Sequence, residues 1–254
     1  MKNLDSYITE KLVVGKNIIH KPKIQVLTKD DLRAILEERL KDDKNANFND
    51  LDVSEITDMS KLFIDLDPHN IKIDKWDVSN VKDMRHMFYE CKKINSDLSK
   101  WDVSKVENMR GMFYNCENFN SDLSNWDVSK VEDMRWMFTE CKNFNSDLSQ
   151  WDVSKVKNME NMFYRCQNFN TNLSKWDVSK VENMDDMFYN CTNFNSDLSK
   201  WKVSNVKNMN LMFYHCKNFN SDLSNWDVSK VKNMKWMFAG CQSLKNKPSW
   251  YIEW

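Results

Sequence analysis

The chain is built on a 25-residue period. Seven tryptophans mark this period, each one full repeat after the one before: Trp76, Trp101, Trp126, Trp151, Trp176, Trp201 and Trp226. Leu51 opens a less regular copy one period earlier, which makes eight units, and the seven cysteines keep the same spacing. A unit of this size cannot bury its own apolar side chains, so neighbouring units must stack on one another to exclude water.

The length of the period limits which repeat folds are possible. Leucine-rich repeats have periods of about 20 to 29 residues, whereas helical-pair and propeller repeats are longer. The sequence therefore predicts a stacked solenoid of the leucine-rich-repeat type.

Within the unit 126–150, the residues after Ser129 indicate a short helix. Apolar residues there follow spacings of three, three, one and three: Val131, Met134, Met137, Phe138 and Cys141. These spacings keep them on one side of a 3.6-residue helix. Ser129 and Glu132 also fit a capping box at its start. Ser154 with Lys157 does not, so the box supports the helix without being required.

The other half of the unit favours a strand. Leu148, Trp151 and Val153 are separated by polar residues and have the aromatic and β-branched bias of strands. We therefore expect a strand near residues 148–153 and their equivalents. The predicted fold is an α/β repeat: a leucine-rich-repeat-like right-handed solenoid with one short parallel strand and one short helix per 25-residue coil, capped at both ends.

Four segments follow from these patterns: an amphipathic leader (1–22), an N-terminal helical cap (23–47), the solenoid (48–244) and an aromatic C-terminal cap (245–254). The cap helix starts at Thr28, which stands in capping-box relation to Asp31. A cap covers the open end that the first coil would otherwise expose.

The leader has two interpretations. Its apolar residues line one face of a short helix: Leu4, Tyr7, Ile8 and Leu12. This face predicts either a loosely held terminal helix or a segment that docks on a partner.

The cysteines indicate neither metal nor disulfides. No C-x-x-C pair occurs, and the four histidines have no ligand spacing with the cysteines. Stacked equivalents point in parallel, whereas a disulfide needs converging side chains about 3.8 Å apart at Cβ. We expect a buried row of reduced thiols, which is typical of a reducing compartment. We expect no metal or other cofactor.

Composition excludes several function classes. The net charge of −1 lacks the basic field that nucleic-acid binding needs. No apolar run is long enough for a membrane span, and the amino terminus lacks the apolar stretch of a secretory signal. No catalytic motif is present, so the sequence predicts a non-enzymatic protein. The expected location is cytoplasmic or virion-associated, with the cell surface as the alternative.

An acidic row runs through the repeat and is broken by Lys202. It includes four consecutive members: Asp102, Asp127, Asp152 and Asp177. One interpretation is that these carboxylates accept local backbone amides at turns. The other is that they face solvent and meet a basic partner, which Lys202 favours because lysine cannot accept an amide.

The copies disagree most between the two methionines of each unit. Outward positions there carry Trp136, Leu211 and Trp236, and the residues before the early outward positions are Arg85, Arg110 and Arg135. Drift of exposed positions explains this variation. A partner surface on a constant scaffold explains it as well, since exposed aromatics often anchor interfaces. Another protein is thus the expected partner.

The string F-x-x-C-x-x-F-N-x-D-L-S-x-W-D-V-S-x-V-x-x-M-x-x-M-F resembles the repeat of BspA-like leucine-rich repeat surface proteins, in the 25-residue form abundant in mycoplasmas. The resemblance covers about residues 46–254 and implies a solenoid used for binding and adhesion. Members of that family are often exported. The leader is similar to those of proteins from large phages of gut Bacteroides.

The function expected from these observations is a protein–protein interaction module that binds through its variable helices or its acidic strands. The alternatives are a surface adhesin of a cell or virion that binds protein or glycan, and a structural component of a phage particle.

Overall fold

A computed structural model of the chain describes residues 22–252. Their named elements are strand β1 (Ile24–Gln25), helix α1 (Lys29–Asp42) and strand β2 (Leu51–Asp52). β1 and β2 pair in parallel, with Ile24 opposite Leu51. The apolar face predicted for the leader lies outside the described residues.

Helix α1 begins where the capping box predicted it. The Thr28 hydroxyl accepts the amide of Asp31 at 3.1 Å. The helix buries Leu32, Leu36 and Leu40 in the core that continues into the repeat. The Arg33 guanidinium donates to the carbonyl oxygen of Leu62, in the first unit, at 2.9 Å. The predicted helix is therefore confirmed, and it lies against the first unit.

Successive units stack in the 25-residue register that the sequence predicted. Parallel bridges join equivalent residues of neighbouring units, from Asp58 with Asp83 to Asn208 with Asn233. Alternate amides of residues 134–140 donate to carbonyl oxygens of the following unit, such as Trp136 to Glu160 at 2.9 Å. We call this segment and its equivalents in the other units the turn ladder.

The turn ladder replaces the helix predicted after Ser129. The Met137 amide donates to the Met134 carbonyl oxygen at 3.2 Å, and the Cys141 amide donates to that of Phe138 at 3.0 Å, so residues 134–137 and 138–141 form two successive four-residue turns. Trp136 and Glu140, at the third position of those turns, have φ of +59° and +61°. An α-helix needs negative φ throughout. Turns of this kind repeat the apolar spacing of a short helix, so the spacing did not distinguish them.

The strand predicted at 148–153 is also a turn. The Trp151 amide donates to Leu148 at 3.1 Å, and that of Val156 donates to Val153 at 2.9 Å. The three predicted apolar side chains are buried, but the Trp151 amide closes a turn instead of joining a strand ladder. The parallel bridges fall at Asp133 and its equivalents. The class of a right-handed leucine-rich-repeat-like solenoid stays a prediction.

Columns of like residues form the core. Trp126 and Trp151 stack with ring centroids 6.5 Å apart and planes within 1°. Polar atoms in the columns are paired between units: the Trp151 indole donates to the Leu123 carbonyl oxygen at 3.0 Å. The Cys141 thiol likewise donates to the Phe113 carbonyl oxygen at 2.9 Å.

The cysteine row is buried as predicted. All seven thiols are free, and six are buried while Cys241 is half-buried. Burial raises the pKa of Cys141 far above its ordinary value. Stacked thiols of this kind are protected from both thiolate formation and solvent.

Aromatic residues cover the last unit. Trp250 continues the tryptophan column, 6.4 Å from Trp226, and its indole donates to the Leu223 carbonyl oxygen at 3.0 Å. Tyr251 meets the ring of Phe238 edge-on at 5.0 Å. The segment predicted as a C-terminal cap therefore lies against the core in its described part.

Candidate functional site

An open groove of about 900 Å³ runs along the turn ladder. It crosses six units, from Lys61 at one end to Asp186 at the other. The variable positions between the methionines line it, including His86 and Trp136. The groove therefore lies where the copies of the repeat differ most. We call it the aromatic groove.

The outward variable position has a left-handed backbone in every unit from 86 onward. The residues there have φ between +52° and +59°: His86, Gly111, Trp136, Asn161, Asp186, Leu211 and Trp236. Glycine, asparagine and aspartate adopt this conformation readily, whereas for other L-residues it costs about 1–2 kcal/mol. The bulky members therefore occupy positions that the backbone disfavours. Such strain points to a role other than folding.

Trp136 is held by a cation. The Arg110 guanidinium lies 4.4 Å from the centroid of its ring, within cation–π distance. A Cβ on the neighbouring Gly111 would lie 2.5 Å from Nδ1 of His86, so the imidazole occupies the space over that glycine. The smallest residue of the variable column thus makes room for a ring from the preceding unit.

A column of tyrosines follows the groove and is interrupted once within it. Tyr89 and Tyr114 stack at 4.6 Å, and Tyr164 and Tyr189 stack at the same distance. Between these pairs the position belongs to Thr139, whose hydroxyl donates to the Asn161 carbonyl oxygen at 2.7 Å. Thr139 is buried and lines the groove together with Tyr114 and Tyr164.

The far end of the aromatic groove is acidic. Glu160, Asp185 and Asp186 are half-buried, and none of them forms an ion pair with another residue of 22–252. Burial, with Asp185 and Glu160 nearby, raises the pKa of Asp186 to about 6. The structure therefore concentrates negative charge here that no salt bridge within that range balances.

A family model described as "Mycoplasma protein of unknown function, DUF285" matches residues 31–151 and 133–251. The chain belongs to this family. The two matches together span helix α1 from Asp31 onward and the repeat that follows it. No curated protein and no solved structure matches the chain.

Of the predicted partner-binding residues, Trp136 alone lines the aromatic groove of this DUF285 protein. Arg110 packs on that indole. Arg85 pairs with Asp83 at 3.0 Å, and Arg135 pairs with Asp133 at 2.6 Å. Their charges are therefore balanced within their own turns.

Two predicted residues continue the variable column beyond the groove. Leu211 and Trp236 occupy the positions one and two units after Asp186. Leu211 is half-buried and Trp236 is 55% exposed. Neither lines the aromatic groove, so the structure does not bring them together with Trp136.

The acidic row has the local role that one interpretation gave it. Asp102 accepts the amide of Ser104 at 3.0 Å, and the other members do the same two residues on: Asp127, Asp152 and Asp177. Hydrogen bonds from Ser104 lower the pKa of Asp102. The carboxylates are also exposed, but the turn at each one explains its presence.

The capping boxes predicted within the repeat are wrong for the same reason as the predicted helix. Because no helix follows Ser129, its partner Glu132 does not cap one. Glu132 instead pairs with Lys157, at the equivalent position of the next unit, at 2.6 Å. Glu132 thus links neighbouring units of the DUF285 repeat.

Sequence reasoning missed the tyrosine column and its gap. The position reads Tyr in five units, Ile at 64, Thr at 139 and Ala at 239. The sequence alone could have revealed this gap, because a threonine stands out at a position that is tyrosine in most of the other copies. The three carboxylates at the acidic end were not among the predicted partner-binding residues.

Other kinds of site are absent from the described residues. Within residues 22–252 no helix is long and apolar enough to cross a membrane. That part of the chain also holds no cluster of three or more histidine, cysteine, aspartate or glutamate side chains placed to bind a metal.

Proposed function

We propose that this DUF285 protein is a non-enzymatic interaction module that binds a segment of another protein in the aromatic groove. The observation that carries the proposal is the placement of Trp136. It occupies a left-handed position that Gly111 and Asn161 fill in the units before and after it. The left-handed backbone disfavours a bulky aromatic residue at this position, and the ring of Trp136 lines the aromatic groove.

The constant part of the repeat supports the same proposal. Inter-unit hydrogen bonds and stacked rings are nearly identical in successive units, so the scaffold is regular. Such regularity supports a solenoid of the leucine-rich-repeat type. Repeat arrays of this kind commonly present a continuous surface to a partner.

Adhesion is a second candidate, favoured by the resemblance of the repeat to BspA-like surface proteins. In that role the ligand is a protein or glycan outside the cell or virion. For the interaction module, we propose a cytoplasmic or virion-associated location. Fractionation of cells and particles separates the two locations.

Affinity capture tests the proposal. The full chain is immobilised and exposed to extracts of the producing cells or particles, beside the variants Trp136→Asn and Trp236→Asn. Both substitutions remove a tryptophan from the same left-handed position, and only Trp136 lines the groove. We expect a partner whose affinity falls about thirtyfold with Trp136→Asn, the effect of losing an anchor of about 2 kcal/mol.

Trp236→Asn is the matched control and leaves that affinity unchanged. Circular dichroism of both variants verifies that they are folded. Equal capture by all three proteins contradicts the proposal, and so does a partner that requires only residues 1–20.

A further inference from the structure

The turn ladder has a direction. Its alternate amides point toward the following unit, and the carbonyl oxygens that accept them point back toward the preceding unit. Leu211, for example, donates its amide to the Lys235 carbonyl oxygen at 3.0 Å, and every unit from 76 to 225 repeats this arrangement. One end of the ladder therefore presents carbonyl oxygens with partial negative charge, and the other end presents amides with partial positive charge.

Helix α1 covers the carbonyl end and turns its own cations inward. Three of its four basic side chains are bonded to residues 50–62: Lys29, Arg33 and Arg39. The exposed face of the helix and its C-cap is therefore mostly acidic, and Lys41 is the one exposed basic residue within 29–43. We call this face the acidic cap face; its carboxylates are Asp30, Asp31, Glu37, Glu38, Asp42 and Asp43.

The last unit, 226–250, presents the amide end. The amides of Met234, Trp236 and Gly240 have no acceptor among residues 22–252. Trp236 and Gly240 have φ of +52° and +78°, and amides exposed around left-handed residues form anion-binding concavities. One aspartate in this unit is outnumbered by five exposed lysines. We call this surface the basic end; its lysines are Lys230, Lys232, Lys235, Lys245 and Lys247.

Exposed apolar side chains lie at the same two ends. Leu27, which precedes α1, is 63% exposed, and Trp236 and Ile252 at the other end are 55% and 72% exposed. Val231 and Met234 are half-buried, whereas their equivalents in the preceding unit are fully buried. Each end is therefore a partly apolar surface, and the two ends carry opposite charge, as in complementary interfaces.

We infer that copies of this protein associate head to tail, with the acidic cap face of one copy on the basic end of the next. Carboxylates of the cap face accept the open amides and pair with the lysines. Contact between two basic ends would place lysine against lysine, so a symmetric dimer is disfavoured. Because the two surfaces differ, each copy keeps one surface free for a further copy. The inference concerns the ends of the array and is independent of the aromatic groove.

Sedimentation velocity of the full chain tests this association. At low salt we expect the average sedimentation coefficient to keep rising with protein concentration beyond that of a dimer. Salt screens exposed charges, so the association constant should fall by about tenfold or more at high salt.

Two charge reversals test which surfaces meet. The cap variant carries Glu38→Lys and Asp42→Lys, and the end variant carries Lys232→Glu and Lys245→Glu. Three other units have glutamate at the position of Lys232, so the repeat accepts it there. Each variant alone brings like charges together, and we expect association to weaken by about tenfold or more. An equimolar mixture brings opposite charges together again and should restore association.

The matched control carries Lys155→Glu and Lys180→Glu, which make the same change of charge at exposed positions of inner units. It should associate like the parent, and circular dichroism verifies that all variants are folded. A parent that stays monomeric overturns the inference and leaves the basic end to a different acidic partner. Association that stops at a dimer, a mixture no stronger than its separate variants, or an equal loss in the control also overturns it.

Discussion

Single aspartates in this repeat have opposite electrostatic environments. Hydrogen bonds from the Ser154 hydroxyl and amide lower the pKa of Asp152. Burial beside Asp185 and Glu160 raises that of Asp186 to about 6. The first carboxylate stabilises the folded chain when it is ionised, and the second destabilises it. Position within the unit therefore decides whether an ionised aspartate stabilises or destabilises the folded chain, although the residue type is the same.

Replacing Asp186 by Asn tests this assignment. An unfolded aspartate has a pKa of about 3.9, so the raised pKa means that the folded state binds the extra proton. Its contribution to stability is present below about pH 4 and is lost as the pH rises through about 6. We expect Asp186→Asn to be more stable than the parent at pH 7, and the two to be equal at pH 4. Urea unfolding at pH 4, 5.5 and 7 measures the difference.

Asp152→Asn serves as the control of opposite sign. The amide oxygen of asparagine can still accept the Ser154 amide, as Asn172 accepts that of Ser174 at 3.0 Å. Because the pKa of Asp152 is lowered, its stabilisation is present above about pH 4 and is lost at lower pH. This variant should therefore be the less stable one at pH 7. A gain in stability at pH 7 from both substitutions would contradict the assignment.

The turn ladder is the element that sequence reasoning replaced with a helix. An α-helix and the turn ladder would both bury methionine, phenylalanine and cysteine at spacings of three and four. They differ in the partners of the amides: a helix pairs them within the unit, and the ladder sends alternate ones to the next unit. The left-handed residues of the ladder, such as Trp136 and Trp236, are the local consequence.

A glycine–alanine comparison at Trp236 distinguishes the two elements. In a helix glycine is less stable than alanine by about 1 kcal/mol, and at a left-handed position alanine is the less stable residue by about 1–2 kcal/mol. Both variants lose the same indole contacts, so their difference isolates the backbone. With φ of +52°, we expect Trp236→Gly to be more stable than Trp236→Ala in urea unfolding.

The neighbouring segment provides the reference pair. Lys232 is exposed and is not among the residues with positive φ. Lys232→Gly should therefore be no more stable than Lys232→Ala. If alanine is the better residue at 236 as well, the left-handed turn is wrong.

The whole molecule depends on the 25-residue register. The Asn195 side chain accepts the amide of Asn220, its equivalent in the next unit, at 2.9 Å. The Trp201 indole donates to the Leu173 carbonyl oxygen, 28 residues earlier, at 2.9 Å. Every such bond needs the neighbouring unit at the same level. Stability in arrays of this kind is approximately a sum of unit and interface contributions.

Deleting one complete unit should therefore preserve the fold at lower stability. Removal of residues 201–225 joins Lys200 to Trp226 and restores the sequence of the repeat without touching the aromatic groove. We expect a cooperative unfolding transition at a lower urea concentration than in the parent. The deletion of 201–224 differs by one residue and displaces every following bond, so it should lose cooperative unfolding in part or completely. Equal stability of the two deletions would contradict a structure that depends on register.

Much of the fold was predictable because it is local or repeats itself. The capping box at Thr28 depends on residues three apart, and the burial of columns such as Trp151 and Cys141 follows from identical residues recurring at one period. Trp136 was identified by comparing copies, which needs no coordinates. The tyrosine gap at Thr139 was visible in the same way and was overlooked.

The sequence by itself determined the register, the buried columns and the helix at the amino-terminal end, since each is written in residues that are close together or equally spaced. Only the tertiary structure decided between helix and turns, because the amide of Trp136 has its partner at Glu160, in the next unit. It also decided the aromatic groove, whose lining comes from six units. A pattern within one unit contains neither the hydrogen-bond partner nor the neighbouring wall, and both appear only when the units are stacked.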